Sequence, residues 1–202
     1  MSKRILIASN NKGKIAEIKD YLQDLNLEVI GLDSFPSLSN VIEDGETFRE
    51  NALKKARVRA RETGELTLAD DSGLEVDYLG GRPGVYSARY AGPGASDEKN
   101  NLQLLKELEN VPLEQRTARF KCVMALVDPD DGSEVTVEGT CKGVILTAPR
   151  GDNGFGYDPL FLVPEYNKTM AELPLEVKNK ISHRAMALQK MRKAIKDRYR
   201  EL

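Results

Sequence analysis

The chain has 202 residues, and its 30 basic and 32 acidic side chains leave a formal net charge of −2. This balance argues against a general nucleic-acid or membrane-surface binder, because such proteins normally carry a clear basic excess. Hydrophobic residues make up 40% of the chain, enough for a sizeable core without support from a metal or a disulfide. The length suits one domain, either simple or with two lobes.

The cysteines and the N-terminal sequence favour a reducing, cytoplasmic location. Cys122 and Cys141 each lie in an apolar stretch, and His183 is the single histidine, so a structural zinc site has too few ligands. Two buried free thiols are predicted. The chain becomes polar at Ser9, unlike a signal peptide, and no stretch approaches the ~20 apolar residues of a membrane helix. We expect a cytoplasmic protein.

The N-terminal part of the chain predicts strands that alternate with helices. Residues 3–8 form a short apolar run typical of a buried strand, and apolar residues recur at helical spacing over residues 14–25. Residues 27–31 predict a second strand. Thr47 is expected to cap a helix that extends to Arg61.

The middle of the chain predicts a strand, a loop and a helix. Residues 66–69 predict a strand that runs into Asp70-Asp71-Ser72-Gly73, a sequence that by itself favours a turn. Residues 80–94 are rich in glycine and predict an ordered loop with little regular structure. Ser96, followed by two acidic residues, predicts a helix start.

The C-terminal part predicts a hairpin and a final helix. Residues 119–128 and 134–146 are strand-like, and the turn signal at residues 129–132 joins them. Residues 160–163 form another apolar run, and a last helix begins at about Ser182. The whole pattern predicts an α/β fold with a mixed central sheet flanked by helices.

A first candidate site is Ser9-Asn10-Asn11-Lys12-Gly13-Lys14, at the point where a strand leads into a helix. Unpaired backbone N–H groups at a helix N-terminus favour an anion, and the neighbouring lysines make phosphate the expected one. The segment is not the P-loop pattern. The commoner interpretation of such a turn is a helix cap alone.

A second candidate is a set of acidic residues, Glu43-Asp44 and Asp70-Asp71. Carboxylates at loop tips can hold Mg²⁺, which takes its other ligands from water and substrate phosphates. Side chains alternate along a strand, so Asp70 and Asp71 should not face one site unless the chain bends there. From the residues alone, an ordinary turn is favoured over a metal site.

Two later segments complete the candidates. In residues 154–159, glycines let the backbone approach a ligand, and the two aromatic rings of this segment could stack on a base. A glycine-rich turn with two core aromatics is the commoner case. Lys178 and the sequence Ser182-His183-Arg184 lie at a helix start, where a lone histidine is usually a cap or surface residue. Together the four segments supply phosphate donors, metal ligands, a stacking surface and base-edge donors, which are the parts of a nucleotide site.

Six motifs, in order along residues 9–188, resemble the Ham1/RdgB family of inosine triphosphate pyrophosphatases. They are Ser9-x-Asn11-x-x-Lys14, Glu43-x-Gly45-x-Thr47-Phe48-x-Glu50-Asn51-Ala52, Ala69-Asp70-Asp71-Ser72-Gly73-Leu74, Gly80-Gly81-x-Pro83-Gly84-x-Tyr86-Ser87-Ala88-Arg89, Phe155-Gly156-Tyr157-Asp158-Pro159 and Ser182-His183-Arg184. Position 9 is Ser where Thr is common in the family, and position 10 is Asn where Gly is common.

The resemblance implies a function and a set of roles. It implies an ITPase-like fold with two lobes and a cleft, a homodimer, and Mg²⁺-dependent hydrolysis of ITP, dITP and XTP to the monophosphate and pyrophosphate. Glu43 and Asp71 would hold Mg²⁺, and Asp71 would be the catalytic residue, acting as general base. Lys14 and Lys55 would neutralise phosphate charge. The substrate-binding residues it implies are Ser9, Asn10, Asn11, Lys12, Gly13, Lys14, Lys55, Ser72, Phe155, Gly156, Tyr157, Asp158, Lys178, His183 and Arg184.

Three alternatives stay open on the sequence. A pyrophosphatase of similar fold could act on modified pyrimidine or ordinary deoxynucleotides. A non-catalytic nucleotide sensor would use the same phosphate and base contacts without needing metal-placed carboxylates. A single-stranded nucleic-acid binder is disfavoured by the acidic balance and the 6% aromatic content.

Overall fold

A computed structural model of the chain describes residues 3–199, except for the side chain of Lys12. The strands in this range are β1 (Lys3–Ile7), β2 (Leu27–Gly31), β3 (Leu66–Val76), β4 (Thr117–Val127), β5 (Glu134–Ile145), β6 (Phe161–Val163) and β7 (Lys168–Thr169). The α-helices are α1 (Lys12–Leu22), α2 (Phe48–Thr63), α3 (Asp97–Glu107), α4 (Leu175–Ile181) and α5 (His183–Arg198). Short 3-10 helices lie at Leu32–Ser34, Asp77–Leu79, Gly84–Arg89, Leu113–Gln115, Pro164–Tyr166 and Met170–Glu172.

The strands form one mixed sheet in the order β2-β1-β3-β4-β5-β6-β7. β1 pairs in parallel with both β2 and β3, and Ile5 lies opposite Val29 on one side and Leu66 on the other. β6 pairs antiparallel with β5 and with β7. The predicted mixed α/β sheet is confirmed, as is the adjacency of β4 and β5 expected of a hairpin.

The chain divides into two compact units. Within the described residues, the first unit comprises residues 3–71, 122–139 and 186–199. Its core packs α1 and α5 with strands β1, β3 and β4. Leu188, Met191 and Ile195, which share one side of α5, are all buried there. Their spacing of three and four residues explains why the last helix packs along one face.

The second unit comprises residues 72–121 and 140–185. Its core joins α3 to the remaining parts of β3, β4 and β5 and to β6, and includes Leu104, Ile145 and Phe161. The rings of Phe120 and Phe161 lie 4.4 Å apart between centroids. Each unit therefore has its own hydrophobic core.

The turn favoured at Asp70-Asp71-Ser72-Gly73 is wrong, because β3 continues without interruption to Val76. Beyond these polar residues, Leu74 and Val76 are fully buried in the core of the second unit. Burial of two large apolar side chains is worth several times the local preference of these residues for a turn, so the strand persists.

Two simpler expectations are confirmed. Cys122 and Cys141 are both free and buried. Ser96 caps α3 by accepting a hydrogen bond from the N–H of Lys99. No helix within residues 3–199 is long and apolar enough to cross a membrane.

The predicted cap of α2 is a complete capping box. The hydroxyl of Thr47 accepts the N–H of Glu50 at 3.1 Å, and the Glu50 carboxylate accepts the N–H of Thr47 at 3.1 Å. Both groups satisfy donors that would otherwise be unpaired at the helix start. Helix α2 ends at Thr63, two residues beyond the predicted end.

Replacing Thr47 with Ala should lower the free energy of unfolding by about 1 kcal/mol, because the helix loses its capping hydroxyl. Urea unfolding followed by circular dichroism measures this change. Thr47→Ser keeps the hydroxyl and serves as the control. Equal loss in both variants would mean that the hydroxyl does not carry the effect.

Candidate functional site

The segment between β1 and α1 is organised by its own side chains. The hydroxyl of Ser9 accepts the N–H of Asn11 at 3.1 Å, and the side-chain oxygen of Asn11 accepts the N–H of Lys14 at 3.1 Å. Asn11 is therefore the N-cap of α1. Asn10 and Gly13 lie in the same exposed turn. The side chain of Lys12 lies outside the described residues.

Lys14 is joined to the central strand by an ion pair. Its Nζ lies 2.7 Å from Oδ2 of Asp70, whose residue is only 4% exposed. A lysine ammonium has three donors, so this bond leaves it able to donate to a further anion. The ion pair holds the Lys14 ammonium beside Asp70, near the middle of β3.

A second cation lies with the two predicted metal ligands. Lys55 Nζ donates to Oε2 of Glu43 at 2.9 Å. Lys55 and Glu43 both act electrostatically on Asp71, with opposite signs. The two carboxylates and the ammonium thus form one cluster within the first unit. Asp44, the neighbour of Glu43, is instead exposed and paired with Lys54.

Asn51 links Asp71 to the loop that carries Glu43 and was not assigned a role from the sequence. Its Nδ2 donates to Oδ2 of Asp71 at 3.0 Å, and its Oδ1 accepts the N–H of Gly45 at 2.8 Å. The residue is 1% exposed. A Cβ on Gly45 would lie 2.8 Å from this same oxygen, so glycine permits the loop that carries Glu43 to approach Asn51.

The environment of Asp71 shifts its titration. Burial raises the pKa of the Asp71 carboxyl above its ordinary value, and this effect is the largest. The charge of Lys55 and the Asn51 hydrogen bond lower the pKa, whereas the negative charges of Glu43 and Asp70 raise it. The pKa of Asp71 is therefore raised mainly because its carboxylate loses solvent, and Lys55 and Asn51 offset only part of this effect.

This acidic cluster fits a hard divalent cation. Its donors are carboxylate oxygens, and Mg²⁺ needs one or two of these besides water and substrate phosphates. Within the described part of the chain, no three His, Cys, Asp or Glu side chains gather as a closed metal site would require. The two carboxylates supply the number of protein ligands that Mg²⁺ needs.

The predicted base-binding segment lies in the second unit and surrounds a buried ion pair. Asp158 Oδ2 accepts from Lys178 Nζ at 2.7 Å. Burial raises the pKa of the Asp158 carboxyl, while Lys178, the N–H of Phe155 and the charge of Arg184 act to lower it. A Cβ on Gly154 would lie 2.1 Å from that carboxylate oxygen, so no other residue fits there without a shift.

The two aromatic residues of this segment differ in their exposure. Tyr157 is buried, and its hydroxyl donates to the carbonyl of Ser87 at 2.8 Å. Phe155 is 57% exposed, so the expectation that both aromatics belong to the core is wrong for this residue. The glycines on each side of Phe155 have positive φ, which turns the backbone outward at this point.

Arg184 and His183 at the start of α5 lie in the same unit. The guanidinium carbon of Arg184 lies 5.9 Å from the centroid of the Phe155 ring, and the arginine is only 4% exposed. The His183 ring stacks on Phe120 with centroids 5.0 Å apart. His183 therefore packs on a core aromatic, which differs from the cap or surface position expected of a lone histidine.

The predicted site residues are thus divided between the two units. The first group contains Ser9, Asn10, Asn11, Gly13, Lys14, Glu43, Lys55 and Asp71. The second contains Ser72, Phe155, Gly156, Tyr157, Asp158, Lys178, His183 and Arg184. Asn51 is the addition to the first group. Its signal in the sequence was a polar amide on the helix face shared by Phe48, Ala52 and Ala56.

A model of the Ham1 family matches residues 5–194. The chain belongs to the Ham1 family. It is 58% identical over 185 residues to a dITP/XTP pyrophosphatase of Geobacter sulfurreducens, covering 92% of each chain. It is 54% identical over 187 residues to a dITP/XTP pyrophosphatase of Desulforamulus reducens, covering 93% of this chain and 92% of the relative.

Solved structures of the Ham1 family share the fold. A HAM1 protein from Coxiella burnetii superposes with a TM-score of 0.91 at 42% identity, covering 96% of this chain and 99% of that one. The Ham1 protein of Staphylococcus aureus gives a TM-score of 0.90 at 44% identity, covering 97% and 100%. The mixed sheet of this Ham1 chain is therefore a family feature.

Replacing Lys14 with Met in this Ham1 chain should lower the free energy of unfolding by about 3 kcal/mol, because the buried Asp70 loses its cation. Chemical denaturation at neutral pH measures the loss. Lys54→Met is the matched control, since it breaks the exposed pair with Asp44 and should cost much less. Similar losses in both variants would contradict a stabilising buried pair.

Proposed function

We propose that this chain is a dITP/XTP pyrophosphatase that hydrolyses dITP, XTP and ITP to the nucleoside monophosphate and pyrophosphate, and so removes non-standard purines from the nucleotide pool. The observation that carries the proposal is the 58% identity, over 92% of both chains, to a protein of that name. The acidic and basic groups around Asp71 supply chemistry suited to the same reaction.

We assign the phosphates of the substrate to the first unit. The turn of residues 9–14 offers polar side chains at a helix N-terminus, where the helix dipole favours an anion. Lys14 and Lys55 bring two positive charges, each already oriented by a carboxylate. These cations neutralise charge on the triphosphate and on the departing pyrophosphate.

Glu43 and Asp71 would hold the divalent cation, which we propose to be Mg²⁺. Both side chains offer the oxygen ligands that this cation prefers, and they lie in one electrostatic cluster. When bound, Mg²⁺ supplies positive charge that stabilises the phosphate oxygens in the transition state. Asn51 fixes the direction of the Asp71 carboxylate and the position of the loop before α2.

The reaction is an in-line displacement. A water oxygen attacks the α-phosphorus, and the bond from that phosphorus to the oxygen bridging to the β-phosphate breaks. Pyrophosphate leaves with the bonding electrons, and the attacking water releases its proton to solvent. Such transfers depend mainly on positioning and on charge stabilisation. Asp71 orients the attacking water through its carboxylate, and the two lysines offset the negative charge that grows on the leaving group.

We assign the base and sugar to the second unit. The exposed face of Phe155 offers a stacking surface, and base–aromatic stacking is worth roughly 1–3 kcal/mol per base. Arg184 lies against that ring and can donate to the oxygen at C6 of hypoxanthine or xanthine. Adenine carries an amino donor at C6, so it would face Arg184 unfavourably. Ser72, Gly156, Tyr157, Asp158, Lys178 and His183 complete this proposed group.

We further propose that the enzyme acts as a homodimer in the cytoplasm. Support for the dimer is the resemblance to the family, and support for the compartment is the presence of two free cysteines, which suits a reducing environment. Size-exclusion chromatography with light scattering distinguishes a mass of two chains from a mass of one.

The experiment that tests the function measures pyrophosphate and orthophosphate separately. Purified protein is given ITP, dITP, XTP, ATP, GTP and dUTP in turn, with Mg²⁺ or with EDTA. Pyrophosphate from the first three nucleotides, abolished by EDTA, is the expected result. Orthophosphate release, or equal turnover of every nucleotide, would overturn the proposal.

Asp71→Asn should lower kcat for ITP at least about a hundredfold and change KM much less, because it removes charge needed mainly in the transition state. Steady-state pyrophosphate release checks this. Asp44→Asn removes an acid from the neighbouring loop and is the control, with kcat expected near the wild-type value. An unchanged kcat in Asp71→Asn would remove Asp71 from the mechanism.

Asn51→Ala should raise the Mg²⁺ concentration needed for half-maximal activity by about 10–100-fold, because residues that orient metal ligands typically matter by that factor. Calorimetric titration of Mg²⁺ in the presence of IMP provides a second readout. Asn100→Ala removes another buried amide, in the second unit, and controls for lost stability. The same Mg²⁺ requirement in both variants would contradict the role of Asn51.

A further inference from the structure

Two side chains of α3 hold both polar groups of a single residue in the Phe155 segment. Asp97 Oδ2 accepts the N–H of Gly156 at 2.7 Å. Asn101 Nδ2 donates to the carbonyl of Gly156 at 2.9 Å. Asp97 and Asn101 are four residues apart, so they project from the same face of the helix, one turn apart. Both belong to the second unit.

An acidic residue in the first turn of α3 suits the helix dipole, but this preference does not require Asp97 or Asn101 to contact Gly156. The helix is capped by Ser96, which accepts the N–H of Lys99, so Asp97 is not the capping residue. Asn101 Oδ1 is buried and has no hydrogen-bond partner among the described residues. The Asn101 amide is therefore oriented for its bond to Gly156, and in this orientation its oxygen accepts no hydrogen bond from the described residues.

Helix α3 is a rigid support for these two contacts. Leu104 of α3 and Leu108, which directly follows the helix, are fully buried in the core of the second unit. Asn100 is 2% exposed, accepts the N–H of Ala91 at 2.8 Å and donates to the carbonyl of Ala88 at 3.3 Å. A side chain anchored on this helix can hold a neighbouring loop in one position.

The residues on each side of Gly156 show what is being positioned. Tyr157 is anchored through its hydroxyl to Ser87, and so the chain is fixed just after Gly156. Phe155, just before Gly156, has an exposed ring, and its N–H makes only a long 3.4 Å contact with Asp158. The carbonyl of Phe155 accepts the N–H of Asp158 at 3.2 Å, so the direction of the Phe155 ring depends on this turn and on the backbone of Gly156.

We propose that Asp97 and Asn101 are positioning residues that fix the Phe155 ring as the stacking surface for the base. The proposal rests on the function proposed above, because that function assigns the base to Phe155. Asp97 and Asn101 act through the backbone of Gly156 and need no contact with the substrate. Their loss should weaken nucleotide binding and leave the chemical step nearly intact.

A kinetic comparison tests this division. Asp97→Ala and Asn101→Ala should each raise KM for ITP about tenfold, the value of one good hydrogen bond, and keep kcat within about twofold. Asp97→Asn keeps an acceptor oxygen and should stay near the wild-type KM. Glu98→Ala removes the neighbouring acid of the same helical turn and is the matched control.

A fluorescent reporter measures ring position without turnover. The chain has no tryptophan, so Phe155→Trp introduces a single one at the stacking position. Adding Asp97→Ala to this variant should lower the steady-state anisotropy of the tryptophan and weaken its quenching by IMP about tenfold. Adding Glu98→Ala should change neither quantity.

Each outcome separates the two proposals. The positioning role is overturned if the Asp97→Ala variants show the same anisotropy and the same KM as the Glu98→Ala variants. It is also overturned if Asp97→Ala and Asp97→Asn lose the same amount of kcat and have the same lowered melting temperature. A tryptophan that IMP does not quench in any variant overturns the assignment of the base to Phe155 and this inference with it. Pyrophosphate release from ITP by the wild-type chain tests the proposed function independently of both.

Discussion

Two adjacent carboxylates in the interior of a central strand are the constraint on which the first unit depends. Charged groups in a buried strand are costly unless each finds a partner. Asp70 is bonded to Lys14 of α1, and Asp71 is bonded to Asn51 of α2. Compensation of the two charges therefore ties two helices to one strand and sets both lysines beside the acidic cluster.

The sequence predicted the scaffold well, because the scaffold follows from local patterns. The spacing of apolar residues gave α1 and α5, and the motif that starts at Thr47 gave α2 with its capping box. The strand β3 was cut short because the polar sequence of residues 70–73 has the composition of a turn. The partners that keep it extended come from distant parts of the chain, and a local pattern cannot contain them.

The candidate site shows the same limit. The residues of the motifs were found from the family resemblance, but the roles of Asn51, Asp97 and Asn101 were not. Each of the three makes a hydrogen bond to a residue that is distant along the chain, 20, 59 and 55 positions away respectively. The exposure of Phe155 was also missed, since the local sequence of a glycine-rich turn does not say which of its two aromatics enters the core.

The division of the chain into units has a consequence for the order in which the protein can fold during synthesis. The second unit ends at residue 185, whereas the first unit needs Leu188, Met191 and Ile195 of α5 to close its core. On the ribosome, where domains usually form in the order in which they emerge, the second unit is complete before the first. The N-terminal strands β1 and β2 are synthesised first, but the hydrophobic core against which they pack is complete only after α5 has been synthesised.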